Sequence, residues 1–223
     1  MILWPLIAAC SQQPVPESMT RETVQPARVN FTGSWEMDHT RSEDAYQELK
    51  ELVRKISRAS QGSASGDSRS RNMSVGLSSA TVETLVALAR LAEQITRPQV
   101  LEIEHHGREI EVKRRDDFAF TCDFYDRIPE FVETPFGTEL CGWDGHQLIF
   151  HVSLPDGLTV QHRMTVAPDR QQMHVATTVS STAAPVPFTL NRFYQRFEPL
   201  PSEYDCEYTL SKKKTCTTRR SGF

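Results

Sequence analysis

The chain has 223 residues, 38% hydrophobic and 24% charged, with 29 acidic against 25 basic side chains and a net charge of −4. That length suits one well-cored domain rather than two, and the near-balance of charge supplies no basic footprint, so no nucleic-acid partner is expected. No segment offers the ~18 apolar residues that a membrane-spanning helix requires.

In chain order, the first segment is the apolar run Ile2 to Ala9, which ends on Cys10. Ile7-Ala8-Ala9-Cys10 resembles the lipobox of bacterial lipoprotein signal peptides, where small residues give a peptidase access and the thiol accepts a lipid. The resemblance implies that residues 1–9 are a signal peptide, shortened as a mis-set start codon would leave it, and that Cys10 carries the lipid attachment. Acyl chains contribute ~0.8 kcal/mol per buried CH₂, so several of them would hold a domain at a membrane surface. Ser11 replaces the Asp that marks inner-membrane retention, which points to an outer-membrane lipoprotein facing the periplasm. Residues 10–29, with Pro14, Pro16 and Pro26, read as a lipidated tether.

The domain itself is expected over residues 30–199. Asn30 to Asp38 alternates as a first strand, and a helical insertion follows at about 42–97. Ser42, with Glu43 and Asp44 behind it, is the expected cap of a helix that buries Tyr46, Leu49, Val53 and Ile56. Residues 59–78 are Ser/Gly-rich and read as a loop. A second helix from about Thr81 to Thr96 buries Val82, Leu85, Leu88, Ala92 and Ile95, and Pro98 stops it.

From Gln99 to Phe197 the period changes to two, interrupted by turn residues, which predicts successive antiparallel hairpins. A turn at His106-Gly107 sets Ile103 opposite Ile110, and one at Asp144-Gly145 sets Cys141 opposite Leu148. The loop Pro155-Asp156-Gly157 pairs Val152 with Val160, Phe150 with His162 and Leu148 with Met164. A turn at Asp169-Arg170 sets Met164 beside Val175 and Val166 beside Met173. Every register collects apolar residues on one face, so the fold class is mainly β: an antiparallel meander closing into a barrel or half-barrel with an inserted helical pair.

Gly33-Ser34-Trp35 resembles the Gly-x-Trp opening of lipocalins and other calycin-type barrels. The longer string from Phe31 to Ser42, with the closing Arg192-Phe193-Tyr194-Gln195-Arg196, is similar to uncharacterised bacterial envelope proteins with a lipocalin-like reading. The resemblance implies that Gly33, Trp35, Arg192 and Arg196 close one end of the barrel structurally, an Arg from the last strand packing over Trp35. Arg192 shares a strand face with Phe188 and Leu190 and is the first candidate for that role, with Arg196 next.

Seven histidines raise the question of metal, but the hairpin register sends His151 outward and His162 inward, and no third ligand stands at zinc spacing. No metal or other cofactor is expected. His162 is a lone polar group on the apolar face, read either as a satisfied core histidine or as a residue that orients a ligand. No nucleophile elbow or phosphate loop occurs, so an enzyme is not expected. Among the cysteines, Cys206 and Cys216 stand symmetrically about Leu210-Ser211-Lys212 and are the disulfide candidate, stapling a basic tail or hairpin over 200–223. In a strict meander Cys122 and Cys141 lie two strand spacings apart, ~9–10 Å, beyond bridging range. They are then buried free thiols, or the connection between them is not a simple hairpin, or one pairs with a tail cysteine.

Two functions follow from these readings, with an enzyme of unknown type as a third. The first is a non-enzymatic carrier whose interior takes a small apolar ligand against Phe118, Phe120, Phe124, Trp143, Phe150, His162, Met164 and Met173. The second is an envelope scaffold in which those same side chains fill the core and the outer surface meets a protein partner.

Overall fold

A computed structural model describes residues 29–62, 78–114, 119–123, 130–134, 137–199, 204–208 and 214–218. Cys10, the tether, Phe118 and Phe124 lie outside the described residues. Strand β1 (Gly33–Met37) leads into helices α1 (Ala45–Gly62) and α2 (Ser79–Ile95). Nine strands follow: β2 (Val100–His106), β3 (Glu109–Arg114), β4 (Phe120–Asp123), β5 (Glu130–Thr134), β6 (Gly137–Asp144), β7 (Gln147–Ser153), β8 (Leu158–Val166), β9 (Gln172–Ser181) and β10 (Phe188–Phe197). All ten form one antiparallel sheet in the order β4-β3-β2-β1-β10-β9-β8-β7-β6-β5, curled into a half-barrel. A separate ribbon pairs β11 (Tyr204–Tyr208) with β12 (Lys214–Thr218).

That strand order is a meander in which every chain neighbour pairs except β4 and β5. The first and last strands of the meander, β1 and β10, join instead. The one break therefore falls in the middle of the sequence. It decides between the alternatives open for the cysteines: the connection is not a simple hairpin, and Cys122 on β4 and Cys141 on β6 form a disulfide, with Cα atoms 5.9 Å apart. The separation of ~9–10 Å presumed that β4 and β5 were hydrogen-bonded neighbours. Because they are the two sheet edges, the curl brings β4 against β6 and the disulfide spans the seam.

Two expected registers are also corrected. Ile103 pairs with Val112 rather than Ile110, and Cys141 with Phe150 rather than Leu148. The two-residue turns are Gly107-Arg108 and Gly145-His146, because each glycine, with φ near 60°, takes the first of the two turn positions. A shift of two residues leaves inward and outward faces unchanged, which is why the apolar face survives the error. The two later hairpins have the expected pairings, Val152 with Val160 and Val166 with Met173 among them.

Helix α2 starts at the cap Ser78, whose hydroxyl accepts from the Thr81 N–H, and buries Leu85, Leu88, Ala89 and Ala92. Helix α1 differs from expectation in its cap and its face. Asp44, not Ser42, accepts from the Gln47 N–H at 2.9 Å. Ser42 instead accepts from the Phe193 N–H at 3.0 Å, which fixes the entry to α1 against β10. The face packed on the sheet carries Ala45, Leu49 and Leu52, and Tyr46 is 64% exposed. The helices cover one end of the concave face, packing on Val160, Val179, Phe188 and Leu190. The other cluster joins Phe31, Trp35 and Met37 of the first segment to inward residues from β2 round to β10.

Candidate functional site

Inward positions are fixed by strand parity, and parity takes polar as well as apolar residues inside. Arg114 follows Ile110 and Val112, Thr177 follows Met173 and Val175, and Tyr194 follows Leu190 and Arg192. With Thr96 at the end of α2, these side chains meet His162 around a cavity of about 30 Å³ on the concave face. Its apolar wall includes Leu101, Val112, Phe120, Met164 and Val175.

His162 is buried, and its Nδ1 shares a 2.9 Å hydrogen bond with the Thr177 hydroxyl. Its Nε2 has no hydrogen-bond partner among the described residues. The cavity beside it has room for one water, which would complete that ring's bonding. Phe120 lies against the imidazole, centroids 5.0 Å apart, and stacks on Phe150 at 5.3 Å. The Arg114 guanidinium sits on the same Phe120 ring, 3.9 Å from its centroid. The buried Tyr194 hydroxyl donates to the Pro98 carbonyl at 3.3 Å, and burial pushes its ionisation up to about 12.

Burial, reinforced by the Arg114 charge, pushes the His162 imidazole down to about 4 from its ordinary 6.5. Between those values the unfolded chain binds the proton and the folded one does not. Stability is therefore fully present above about pH 6.5 and declines as the pH falls toward 4, by on the order of 3 kcal/mol. Urea midpoints measured from pH 7 to pH 4 should show the decline, and His162→Gln should flatten it. An unchanged slope in the variant would mean that carboxylates carry it instead.

Of the sequence-derived lining candidates, the cavity wall takes Phe120, His162 and Met164, with Phe150 behind Phe120. Met173 is buried in the same cluster without touching the cavity. Trp143 stands elsewhere, its ring 5.8 Å from Phe31 and 6.1 Å from His105. Thr96, Arg114, Thr177 and Tyr194 are not among the sequence-derived lining candidates, although strand parity alone places the last three inward. Cys206 and Cys216 are direct register partners in the β11/β12 ribbon. Opposed residues have Cα atoms ~4.5–5.5 Å apart, within disulfide range.

The role assigned to Arg192 is corrected. Arg196 covers Trp35, with its guanidinium 5.7 Å from the ring and donating to the Thr32 carbonyl at 3.0 Å. Gly33, at φ 147°, leaves space that a Cβ would contest, 3.0 Å from the same guanidinium. Arg192 lies four residues away along β10 and reaches the helices instead. Its Nε donates to the Thr96 hydroxyl at 3.1 Å, one terminal nitrogen to the Glu43 carbonyl, and the other to Glu93 at 2.7 Å.

On the outside, α1 and α2 frame a groove of about 720 Å³ walled by Tyr46, Leu49, Val86, Ala89, Arg90 and Glu93 among others. No group of three or more metal-ligating side chains occurs among the described residues. No described helix is long and apolar enough to cross a membrane. The class defined by fold and site is thus a mainly β half-barrel with a helix-covered end and, among the described residues, a small cavity at His162 on its concave face. No family model, curated protein or solved structure matches the chain.

Proposed function

We propose that the chain is a non-enzymatic, lipocalin-like lipoprotein of the bacterial envelope, anchored through lipid on Cys10, whose filled half-barrel is a scaffold for an envelope protein partner. The observation that carries this reading is the space left on the concave face. About 30 Å³ holds one water, whereas small-molecule sites generally need ~300–1,000 Å³. The rings proposed to line a carrier pocket occupy it: Phe120 lies on Phe150 and His162. The larger concavity is on the outside, between the two helices. The tether before residue 30 gives the domain reach from the membrane, and its Cys10 supplies the attachment chemistry.

Native mass spectrometry of the full chain, extracted from its own membranes in mild detergent, tests both halves of the proposal. The expected mass is that of a chain beginning at acylated Cys10, with no small apolar molecule retained. A stoichiometric lipophile would overturn the filled scaffold in favour of a carrier. An unacylated chain that keeps residues 1–9 would overturn the anchor.

A further inference from the structure

We infer that Phe120 is the built-in occupant of a slot for a planar apolar ligand, and that the Cys122–Cys141 disulfide locks it there. The inference goes beyond the filled-scaffold reading, which concerns the closed form alone. Four observations meet at this place. Strand β4 has four residues, lies at a sheet edge and, among the described residues, hydrogen-bonds within the sheet only to β3. Its two inward side chains are Phe120 and Cys122, two residues apart, so the disulfide to β6 holds the same short strand that carries the ring. That ring has three partners: Phe150 stacks on it at an interplanar angle of 27°, His162 meets it tilted at 47°, and the Arg114 guanidinium lies 3.9 Å from its centroid. Beneath it is the cavity, into whose wall the buried and otherwise half-bonded His162 is built.

A slot flanked by Phe150, His162 and Arg114 recognises a planar ring by stacking and by cation–π attraction, whichever molecule supplies the ring. Release of β4 withdraws Phe120 and joins its volume to the existing cavity. The chemical step is thiol–disulfide exchange with an external dithiol. One thiolate attacks a sulfur of the Cys122–Cys141 bond, forming a mixed disulfide and releasing one protein thiolate; the dithiol's second thiolate then attacks the dithiol sulfur of that mixed disulfide, closing the dithiol's own disulfide and releasing the other protein thiolate. Cys122 and Cys141 end as two thiols, having gained two electrons and two protons, and the dithiol ends as a disulfide. Both cysteines are buried, so the exchange follows local opening at the seam.

The test titrates the full chain with indole, a neutral planar ring system small enough for the volume of one Phe side chain plus the cavity, by isothermal titration calorimetry in three forms: oxidised, reduced by dithiothreitol, and as the C122S/C141S variant. Near-UV circular dichroism verifies that each remains folded. The variant leaves Cys206 and Cys216 intact, so it separates the seam from the C-terminal ribbon. The expected result is no saturable binding by the oxidised chain and one equivalent bound by both opened forms, at least tenfold more tightly. F120A with the disulfide intact should also bind one equivalent, since it empties the slot without opening the seam. A folded opened form that binds no better than the oxidised chain overturns the lock, as does loss of folding in both opened forms. Failure of F120A to bind overturns the slot, and equal binding by the oxidised chain overturns both.

Discussion

Trp35→Ala is expected to destabilise the folded chain by about 4 kcal/mol, within the ~3–5 kcal/mol typical of a large aromatic removed from a core. Trp35 is fully buried, and its indole N–H donates to the Phe31 carbonyl at 3.1 Å. It stands where the first strand joins the last, because β1 pairs with both β2 and β10 at this position. Trp35 stands opposite Leu101 on one side and Arg196 on the other. A truncation here leaves a void that neither neighbour can fill without breaking a hydrogen-bonded ladder. For a domain of this size the loss corresponds to ~8–16 °C in melting temperature. Arg196→Ala should cost about 1 kcal/mol, since its guanidinium is exposed and contributes one hydrogen bond and a cation–π contact. Thermal and urea melts of the two variants provide the check. A loss below about 1 kcal/mol for Trp35→Ala would show that this end of the sheet is not held by the indole.

How much of this was legible in the residues depends on which physical rule was asked. Strand parity is a local rule, and it sorted Ile103, Val112, Cys122, Phe150, His162 and Met164 inward correctly even where hairpin registers were off by two. Turn chemistry was read one step wrongly: the glycines of His106-Gly107 and Asp144-Gly145 were placed second in their turns, whereas their positive φ places them first. The pairing of β1 with β10 is a long-range choice, and nothing between Asp123 and Glu130 marks the chain as passing from one sheet edge to the other. For that reason a distance argument sound for neighbouring strands leaves the pairing of Cys122 and Cys141 open, and only the sheet order places their disulfide. The cavity's polar residues were hidden for a different reason. Selection by hydrophobicity discarded Arg114, Thr177 and Tyr194, although the same alternation that placed Val112, Val175 and Leu190 inside also placed them there.

Arg192→Met is expected to cost about 3–4 kcal/mol and to loosen the helices before the sheet. The guanidinium is 7% exposed, and three of its donors are used at once: Thr96 at the end of α2, the Glu43 carbonyl ahead of α1, and Glu93 within α2. Glu43 in turn accepts from the Asn191 N–H at 2.7 Å, so the entry to α1 is tied to two adjacent residues of β10 and α2 to one of them, Arg192. Removing the cation leaves these acceptors facing an apolar side chain, and breaking a buried charged network from one side costs ~3–5 kcal/mol. The partner is not symmetric. Glu93 is about half exposed and can be rehydrated, so Glu93→Gln should cost 1 kcal/mol or less. Arg192→Lys should fail to restore stability, because a single ammonium cannot replace a planar fork that reaches three acceptors in different directions. Hydrogen exchange distinguishes this from general weakening: in Arg192→Met, amides of Leu85 to Ala92 should lose protection by more than those of β7 and β8. Uniform loss across helix and sheet would mean that Arg192 supports the sheet itself rather than the attachment of α1 and α2 to it.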